Sequence, residues 1–421
     1  MWIVGGCTES DRWVILNKKL FSEVDSKDCL LVIVIVACIA AVSHFWITNP
    51  LGPARIIYPL QAYTAQHTTT CSSGRPAWLE GAIKEAVRRQ GALSNQVVYI
   101  DPEGNEHRCE NGWTGEMFFS PLLNEETRFR FASVSKLFTA DAVIGLINEG
   151  RLSLDTKLVD IVPEALPAKD DRIESITIEH LLTHKAGFSR LNGVDPMFQI
   201  GLKPWCPYSL SKLAEMRLSF APGEKTVYSN LGYCLLGVAV ERVSGLSFRE
   251  YLEREYDMKA SGLEFVDGPY VADEVKYDFR NSDFYGEEYY KFFDFEALSS
   301  SAGLSGSAIA LARDVRRMLR REPLTLLSGD MKSDCNPDIV RECYGYSFYR
   351  YHQPDKYLEL YIQGGQFPGN TTLVIVDSKG GVFSWLSAGQ ALQGIELLEM
   401  YHFLYEVLEK HYFSGAESVR S

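Results

Sequence analysis

The sequence lacks an excess of positive charge: 42 lysine and arginine residues stand against 55 aspartate and glutamate residues, for a net charge of −13. This acidic balance argues against the basic surface by which proteins bind nucleic acids, so we expect no nucleic-acid partner. Histidine is scarce, with 8 among 421 residues, and no histidine cluster has the spacing of metal ligands. We therefore expect no metal ion and no other cofactor. The chain also lacks internal repeats.

One long apolar run stands near the N-terminus, Cys29–Ile47, about twenty residues without a formal charge. A run of this length can cross a bilayer once as a helix. Lys18, Lys19 and Lys27 precede it, and only Arg55 follows it closely. The positive-inside rule then leaves the N-terminal tail in the cytoplasm and places the rest of the chain outside, in a periplasm, a lumen or the extracellular space.

The apolar run divides the chain into segments. We predict a cytoplasmic tail at 1–28, a transmembrane signal-anchor at 29–48, a linker of low order at 49–75, one domain at 76–415 and a tail at 416–421. The linker prediction rests on several prolines and on a stretch rich in threonine and serine. A cleaved signal peptide is the alternative to an anchor, although the polar segment before the run is long and carries several acids.

Six of the nine cysteines lie beyond the apolar run, namely Cys71, Cys109, Cys206, Cys234, Cys335 and Cys343. An even number of cysteines in an exported domain is typical of disulfide bonding, although connectivity does not follow from sequence. Two candidate pairs stand out: Cys335 and Cys343 bracket a short loop, and Cys71 and Cys109 flank the first predicted helix and hairpin. Cys234 lies in an apolar helical segment, which favours a buried free thiol.

Ser133 and Lys136 lie three positions apart where an apolar helical segment begins. Positions i and i+3 share one face of a helix, so the amine can reach the hydroxyl. A serine becomes a good nucleophile only when a base takes its proton, and a buried lysine can be such a base. Free backbone N–H groups in the first turn of a helix also favour a developing oxyanion. The pair is a candidate nucleophile with its base.

Tyr228 and Asn230 form a second candidate group, shortly after a Pro-Gly turn. In extended backbone, residues two positions apart point the same way, so the phenol and the amide would face one spot. A tyrosinate beside a lysine ammonium is a plausible general base, and the amide can hold a substrate carbonyl or the lysine. The structural alternative is a helix-capping Ser-Asn pair beside a packed tyrosine.

These residues resemble the motifs of the serine β-lactamase and penicillin-binding-protein superfamily, in particular its class C-related branch of LACTB-like proteins, DD-peptidases and esterases. The resemblance covers about residues 76–413, and four stretches match in order and spacing: Gly150–Asp155, His180–Gly187, Phe220–Asn230 and Ser301–Ser307. It implies that Ser133 is the acyl-accepting nucleophile and that Lys136 and Tyr228 move its proton. Asn230 would contact the substrate and the lysine.

The third family motif departs from the pattern in this sequence. The family has a lysine or histidine on the strand beside the site, and the corresponding residue here is the neutral Gln363. This weakens the case for substrates with a free carboxylate, such as β-lactams or D-Ala-D-Ala termini. The resemblance still implies that Gly364 and Gly365 let a substrate approach the strand closely. The backbone N–H of Gln366 would join that of Ser133 in an oxyanion hole.

The pattern of elements predicts an α/β fold of the α+β type, resembling β-lactamases and transpeptidases. An amphipathic helix at about 76–90 precedes the first strands, and a long helix at about 395–413 closes the chain. The predicted strands lie at 96–101, 107–109, 357–363, 371–376 and 381–386. Strands from both chain ends would share one antiparallel sheet covered by the terminal helices, with an all-helical lobe between them that carries the nucleophile.

We predict a membrane-anchored serine hydrolase that is acylated at Ser133 by a small-molecule or peptide substrate, through an ester or a peptide-type amide. A D-amino-acid peptidase, DD-carboxypeptidase or β-lactamase acting on cell-wall-type substrates is the alternative within the enzymes. A catalytically idle binding or scaffold module is the alternative of another class. The aromatic and acidic stretch at 277–295 has no counterpart in the family, and it either covers the cleft or packs as satellite core.

Overall fold

The computed structural model describes residues 26–413 apart from 190–194, 196, 199–200, 269, 283–285, 330–343, 354–355 and 392–393. The described residues form two compact units, which divide between Ile57 and Tyr58. In the first unit a long helix, α1 (Ser26–Thr48), is followed by a short helix, α2 (Gly52–Ile56). The segment Cys29–Thr48 of α1 is long and apolar enough to cross a membrane, in agreement with the predicted span.

The second unit mixes helices and strands. Its α-helices are α3 (Tyr58–Gln66), α4 (Ala77–Arg89), α5 (Lys136–Asn148), α6 (Leu158–Ile161), α7 (Ile178–Leu182), α8 (Asn230–Ser244), α9 (Phe248–Tyr256), α10 (Met258–Ser261), α11 (Ser299–Ala302), α12 (Ala308–Met318) and α13 (Gly394–Phe413). Its strands are β1 (Thr70–Cys71), β2 (Ala92–Ile100), β3 (Glu106–Asn111), β4 (Phe129–Arg130), β5 (Glu264–Phe265), β6 (Leu304–Gly306), β7 (Tyr349–His352), β8 (Glu359–Phe367), β9 (Asn370–Asp377) and β10 (Val382–Gly389). Short 3₁₀ helices lie at Ala132–Ser135, Pro163–Ala165, Asp171–Ser175, Leu210–Glu215 and Glu287–Phe292.

Seven strands form one antiparallel sheet in the order β1-β3-β2-β10-β9-β8-β7. Strand β2 from the start of the domain pairs with β10 from its end, with Tyr99 opposite Phe383. Sequence-distant strands therefore meet at the centre of the sheet, which confirms the predicted fold class.

Both faces of this sheet are buried. Val97 and Tyr99 pack with apolar residues of the terminal helices α4 and α13. Val98 and Ile100 point the other way and pack with apolar residues of α5, α8 and α12. Because successive side chains of a strand alternate between faces, burial on both faces favours the uninterrupted apolar run at 97–100, whereas the polar residues at 94–96 are buried with hydrogen-bond partners.

The middle of the chain is mostly helical, but it also holds a small three-stranded sheet in the order β4-β6-β5, which the sequence does not predict. Just after β4, the N–H of Phe131 donates to the carbonyl of Leu304 at 2.9 Å. In β4 itself, the fully buried Arg130 forms an ion pair with the buried Glu274 at 2.6 Å. The small sheet therefore fixes the backbone that leads into the candidate nucleophile.

The expectation of low order over 49–75 does not hold for the second half of that segment. Helix α3 buries Ala62 and Ala65, and β1 pairs with β3. Small alanine side chains let this helix pack closely on the domain. Cys71 of β1 is bonded to Cys109 of β3, as one of the candidate pairs predicted. The other predicted segment boundaries stay predictions.

The interpretation of Cys234 as a free thiol is wrong. Cys234 on α8 is bonded to Cys206, 28 residues earlier in the chain. The sequence pattern shows only that Cys234 is buried in a helix, and it does not show which loop reaches that helix. Cys335 and Cys343 lie outside the described residues.

Candidate active site

Ser133 lies in the 3₁₀ turn that precedes α5. Ala132, just before it, has φ of +46°, a left-handed conformation that costs a non-glycine residue on the order of 1 kcal/mol. The turn is held in this shape because the N–H of Leu304 donates to Ser135 Oγ at 3.1 Å, next to the contact between Phe131 and Leu304. Ser133 is half-buried, whereas Ala132 and Ser135 are fully buried. The turn thus presents the hydroxyl of Ser133 at the surface.

The fully buried Lys136 reaches back to this serine, as its spacing predicts. Its Nζ donates to Asn230 Oδ1 at 2.8 Å and to the carbonyl of Ser301 at 2.7 Å, and it lies 3.4 Å from Ser133 Oγ. The two shorter bonds orient the amine, and the longer contact places it beside the hydroxyl of Ser133.

Tyr228 and Asn230 face Lys136 together. The ring centroid of Tyr228 lies 4.9 Å from Lys136 Nζ. Ser229 caps the start of α8, since its Oγ accepts the N–H of Gly232 at 3.1 Å, and this makes Asn230 the first residue of the helix. Ser229 is therefore the helix cap that the structural alternative describes. The cap also directs the side chains of Tyr228 and Asn230 towards Lys136.

His184, from the matching stretch His180–Gly187, supports this group in a role that the sequence does not predict. The N–H of Val227 donates to the carbonyl of His184 at 2.9 Å, and the N–H of Ser229 donates to its Nδ1 at 3.2 Å. The imidazole also lies 4.6 Å from the ring of Tyr228. Burial and the charge of Lys136 hold its pKa well below the ordinary value, so the ring is neutral with its proton on Nε2. His184 therefore clamps the segment that carries Tyr228.

His180, four residues before His184, has a separate structural role. His180 closes a capping box at the start of α7, where its Nδ1 accepts the N–H of Thr177 at 3.2 Å. Within the described residues, no three histidine, cysteine, aspartate or glutamate side chains come together as potential metal ligands.

The structure corrects the interpretation of Gln363 as a residue that meets the substrate. Its side chain is fully buried, and its Nε2 donates to the carbonyl oxygen of Ser133 at 2.9 Å. The NH₂ group of the amide supplies the donor that this carbonyl needs. Gln363 thus ties the nucleophile turn to β8.

Gly365 allows β8 to approach that turn. A methyl group on Gly365 would lie 2.5 Å from the carbonyl oxygen of Phe131 and 3.0 Å from the nitrogen of Ser133. Residues two apart share a strand face, so Gly365 lies on the same side of β8 as Gln363. Gln366 comes next and is exposed. The close approach of β8 to the nucleophile turn supports the prediction that the backbone N–H groups of Gln366 and Ser133 together form an oxyanion hole.

We expect Gly365→Ala to lower kcat/KM for an activated ester by about 100-fold, because a misplacement of about 1 Å near the reacting atoms can cost that much. Gly364→Ala is the matched control. Gly364 was expected to share the role of Gly365, but its added methyl would point to the other face of β8 and meet the Tyr401 hydroxyl at 3.2 Å, away from the nucleophile turn, so a threefold loss or less is expected. Equal losses in both variants would contradict the role given to Gly365.

The 277–295 stretch packs partly as core and partly beside the site. The guanidinium of Arg130 lies 4.2 Å from the ring centroid of the buried Tyr290. Phe293 packs on Phe367 of β8 with ring centroids 5.4 Å apart. Tyr290, Phe293 and Phe367 thus form an aromatic wall, and Phe367 directly follows Gln366 in the chain.

Comparison with known proteins agrees with this geometry. Residues 97–389 match the family model described as Beta-lactamase. The putative fimbrial assembly protein FimD, serogroup D, of Dichelobacter nodosus is 34% identical over 386 residues, which cover 91% of this chain and 97% of that protein. Esterase EstB of Burkholderia gladioli is 37% identical over 176 residues, which cover 39% of this chain and 44% of the esterase.

Solved structures share the fold. The D-amino acid amidase from Ochrobactrum anthropi SV3, complexed with L-phenylalanine amide, has a TM-score of 0.62 at 16% identity, over 82% of this chain and 97% of the amidase. The penicillin binding protein from Bacillus halodurans has a TM-score of 0.58 at 22% identity, over 78% of this chain and 98% of that one.

Proposed function

We propose that this chain, which belongs to the serine β-lactamase and penicillin-binding-protein family, is a serine hydrolase that is acylated at Ser133 by an ester or a peptide-type amide. The observation that carries the proposal is the position of Lys136 Nζ, 3.4 Å from Ser133 Oγ and oriented by two shorter hydrogen bonds. An accessible hydroxyl that faces a buried, oriented amine is the arrangement that nucleophilic catalysis by serine needs.

In the proposed acylation, Ser133 Oγ attacks the substrate carbonyl carbon while its proton passes to the pair formed by Lys136 and Tyr228. The N–H groups of Ser133 and Gln366 stabilise the negative charge on the carbonyl oxygen, by about 3 kcal/mol per donor. The intermediate collapses, and the leaving alkoxide or amine takes the proton from the same pair. Water then attacks the acyl-enzyme in the same way, which releases the acid and restores the serine.

We favour neutral esters over substrates with a free carboxylate. Gln363 supplies no charge and its amide is used on the nucleophile turn. Two cations of the aromatic stretch are already paired. Arg280 binds Asp278 at 2.6 Å, and Lys291 binds Glu288 at 2.7 Å. The similarity to an esterase over part of the chain supports this preference. D-amino-acid peptides and β-lactams remain the alternative substrates.

The similarity to a fimbrial assembly protein over 91% of this chain favours a second candidate, a role in the assembly of a surface fibre. In that role the domain would bind a partner without turning over a substrate. The two candidates differ in one respect: an assembly module would keep its function after Ser133→Ala, and a hydrolase would lose it.

Mass spectrometry of the full-length protein tests the proposed function. The protein is incubated separately with a fluorophosphonate, an activated ester and a penicillin, and the adduct is mapped by digestion. We expect Ser133 to carry the adduct, with faster acylation by the ester than by the penicillin. A protein that takes up no adduct from any of the three reagents would be an idle module.

We also propose a single-pass membrane location with the N-terminus in the cytoplasm. Four basic residues precede the apolar run, namely Arg12, Lys18, Lys19 and Lys27. The disulfides Cys71–Cys109 and Cys206–Cys234 support a domain outside the cytoplasm, because disulfides persist in oxidising compartments. A cleaved signal sequence is the alternative role of the same helix.

Protease added outside sealed spheroplasts or intact cells should digest the domain beyond residue 49 and spare an epitope at 1–28. The reason is the excess of lysine and arginine before the span, which holds that end inside. Protection of the domain would reverse the proposed orientation. A mature N-terminus near His44 would show that the span is removed.

A further inference from the structure

The amide of Asn230 is held at both ends by charged side chains. Its Nδ2 donates to Asp195 Oδ2 at 2.7 Å, and its Oδ1 accepts from Lys136 Nζ at 2.8 Å. A carboxylate can only accept and an ammonium can only donate, so these two partners fix which end of the amide faces the lysine. Without the carboxylate, the amide could turn and present its NH₂ group to the ammonium.

Asp195 is itself anchored. Its Oδ1 accepts the N–H of Met197 at 3.0 Å, and its backbone carbonyl accepts the N–H of Phe198, also at 3.0 Å. The ring of Phe198 packs on Phe293 and Phe367, with ring centroids 5.3 and 6.3 Å away. One carboxylate thus joins the first residue of α8 to a loop that reaches the aromatic wall at the end of β8.

Resting on the proposed function, we propose that Asp195 is a positioning residue for acylation. It sets the orientation of Asn230 that Lys136 requires, and its negative charge favours retention of a proton by the pair of Lys136 and Tyr228. The carboxylate acts through the Asn230 amide.

Other titratable groups also face this lysine. Lys136 Nζ lies 4.9 Å from the ring centroid of Tyr228 and 5.6 Å from that of Tyr233. The imidazole of His184 is packed against both rings. It is neutral, because burial and the charge of Lys136 lower its pKa. Asp195 is the carboxylate among these groups, so an isosteric change to asparagine removes its charge and leaves Lys136 and Tyr228 in place.

The test measures the rate at which a fluorophosphonate labels Ser133 of the full-length protein, as a function of pH. Asp195→Asn keeps an acceptor oxygen for Asn230 but removes the charge. We expect the rising limb of its profile to move to lower pH by about half a unit to one unit, because the proton-carrying pair loses its proton more readily. Asp195→Ala also frees the amide, so its maximum rate should fall about 10- to 100-fold.

Asp171→Asn is the matched control, because Asp171 is exposed and its loss changes the net charge equally. Its profile should superimpose on that of the wild type. The melting temperature of each variant reports folding, and if Asp195→Ala does not fold, the isosteric Asp195→Asn carries the test. A uniform loss of rate without a shift in pH would indicate a merely structural role and overturn the inference. A wild type that is not labelled at Ser133 would instead overturn the proposed function.

Discussion

Ser133→Ala is expected to abolish labelling by a fluorophosphonate and to lower hydrolysis of an activated ester by about four to six orders of magnitude. The atom that forms the acyl bond is lost, and only substrate binding and the oxyanion donors remain. Stability should change little. Ser133 is half-buried, and the contact of its hydroxyl with Lys136 is long, at 3.4 Å. Intact-protein mass and the melting temperature measure the two effects separately.

Ser135→Ala is the matched control for this result and should behave in the opposite way. Ser135 is fully buried and supplies no atom to the reaction, so its loss should leave Ser133 labelled, although more slowly than in the wild type because the nucleophile turn loses one of its hydrogen bonds. The hydrogen bond from Leu304 N–H to Ser135 Oγ would be lost, which should lower the free energy of unfolding by about 1–2 kcal/mol. Labelling of the Ser133→Ala protein would reveal another nucleophile and end the proposed mechanism.

Five of the seven strands of the large sheet could be predicted from the sequence because they are buried and long, whereas β1 and β7, with two and four residues, were not predicted. A strand predicted at 371–376 extends over Asn370–Asp377, and a helix predicted at 395–413 begins at Gly394. The small sheet could not be predicted in this way. Strands β4 and β5 have two residues each, too few to show the alternation that marks a strand.

The nucleophile and its neighbours could also be predicted, because the local backbone geometry fixes the side-chain directions of residues two or three positions apart. Ser133 and Lys136 share one helical turn, and Tyr228 and Asn230 share one side of an extended segment, so local geometry alone brings each pair together. How the two pairs face each other depends on tertiary packing. The sequence predicts this arrangement only through its resemblance to the serine β-lactamase and penicillin-binding-protein superfamily.

The supporting contacts could not be predicted, because they join distant parts of the chain. Gln363 meets the carbonyl of Ser133 across 230 positions, and His184 meets Ser229 across 45. A motif on a strand shows that the strand borders the site. It does not show whether a given side chain faces the substrate or the protein. The interpretation of Gln363 was wrong for this reason, and Asp195 gave no signal before its contact with Asn230 was known.

Substitutions at Lys136 and Tyr228 should distinguish the parts that the two residues play in proton transfer. Tyr228→Phe keeps the ring 4.9 Å from Lys136 Nζ and removes only the hydroxyl, so stability should hold while turnover falls by about two to four orders of magnitude. Lys136→Ala should lower turnover by a similar factor. It should also destabilise the fold by about 2–4 kcal/mol, because Asn230 Oδ1 and the carbonyl of Ser301 lose a buried donor.

Lys136→Arg decides whether the lysine acts as a base or only as a charge. Arginine keeps the positive charge and can donate to Asn230 and Ser301, but it does not give up a proton in proteins. If the amine of Lys136 takes the proton of Ser133, this variant should be as slow as Lys136→Ala while remaining more stable. Single-turnover acylation rates and chemical denaturation measure the two quantities. Turnover within tenfold of the wild type would show that a fixed charge suffices, and the proton of Ser133 would then go directly to Tyr228.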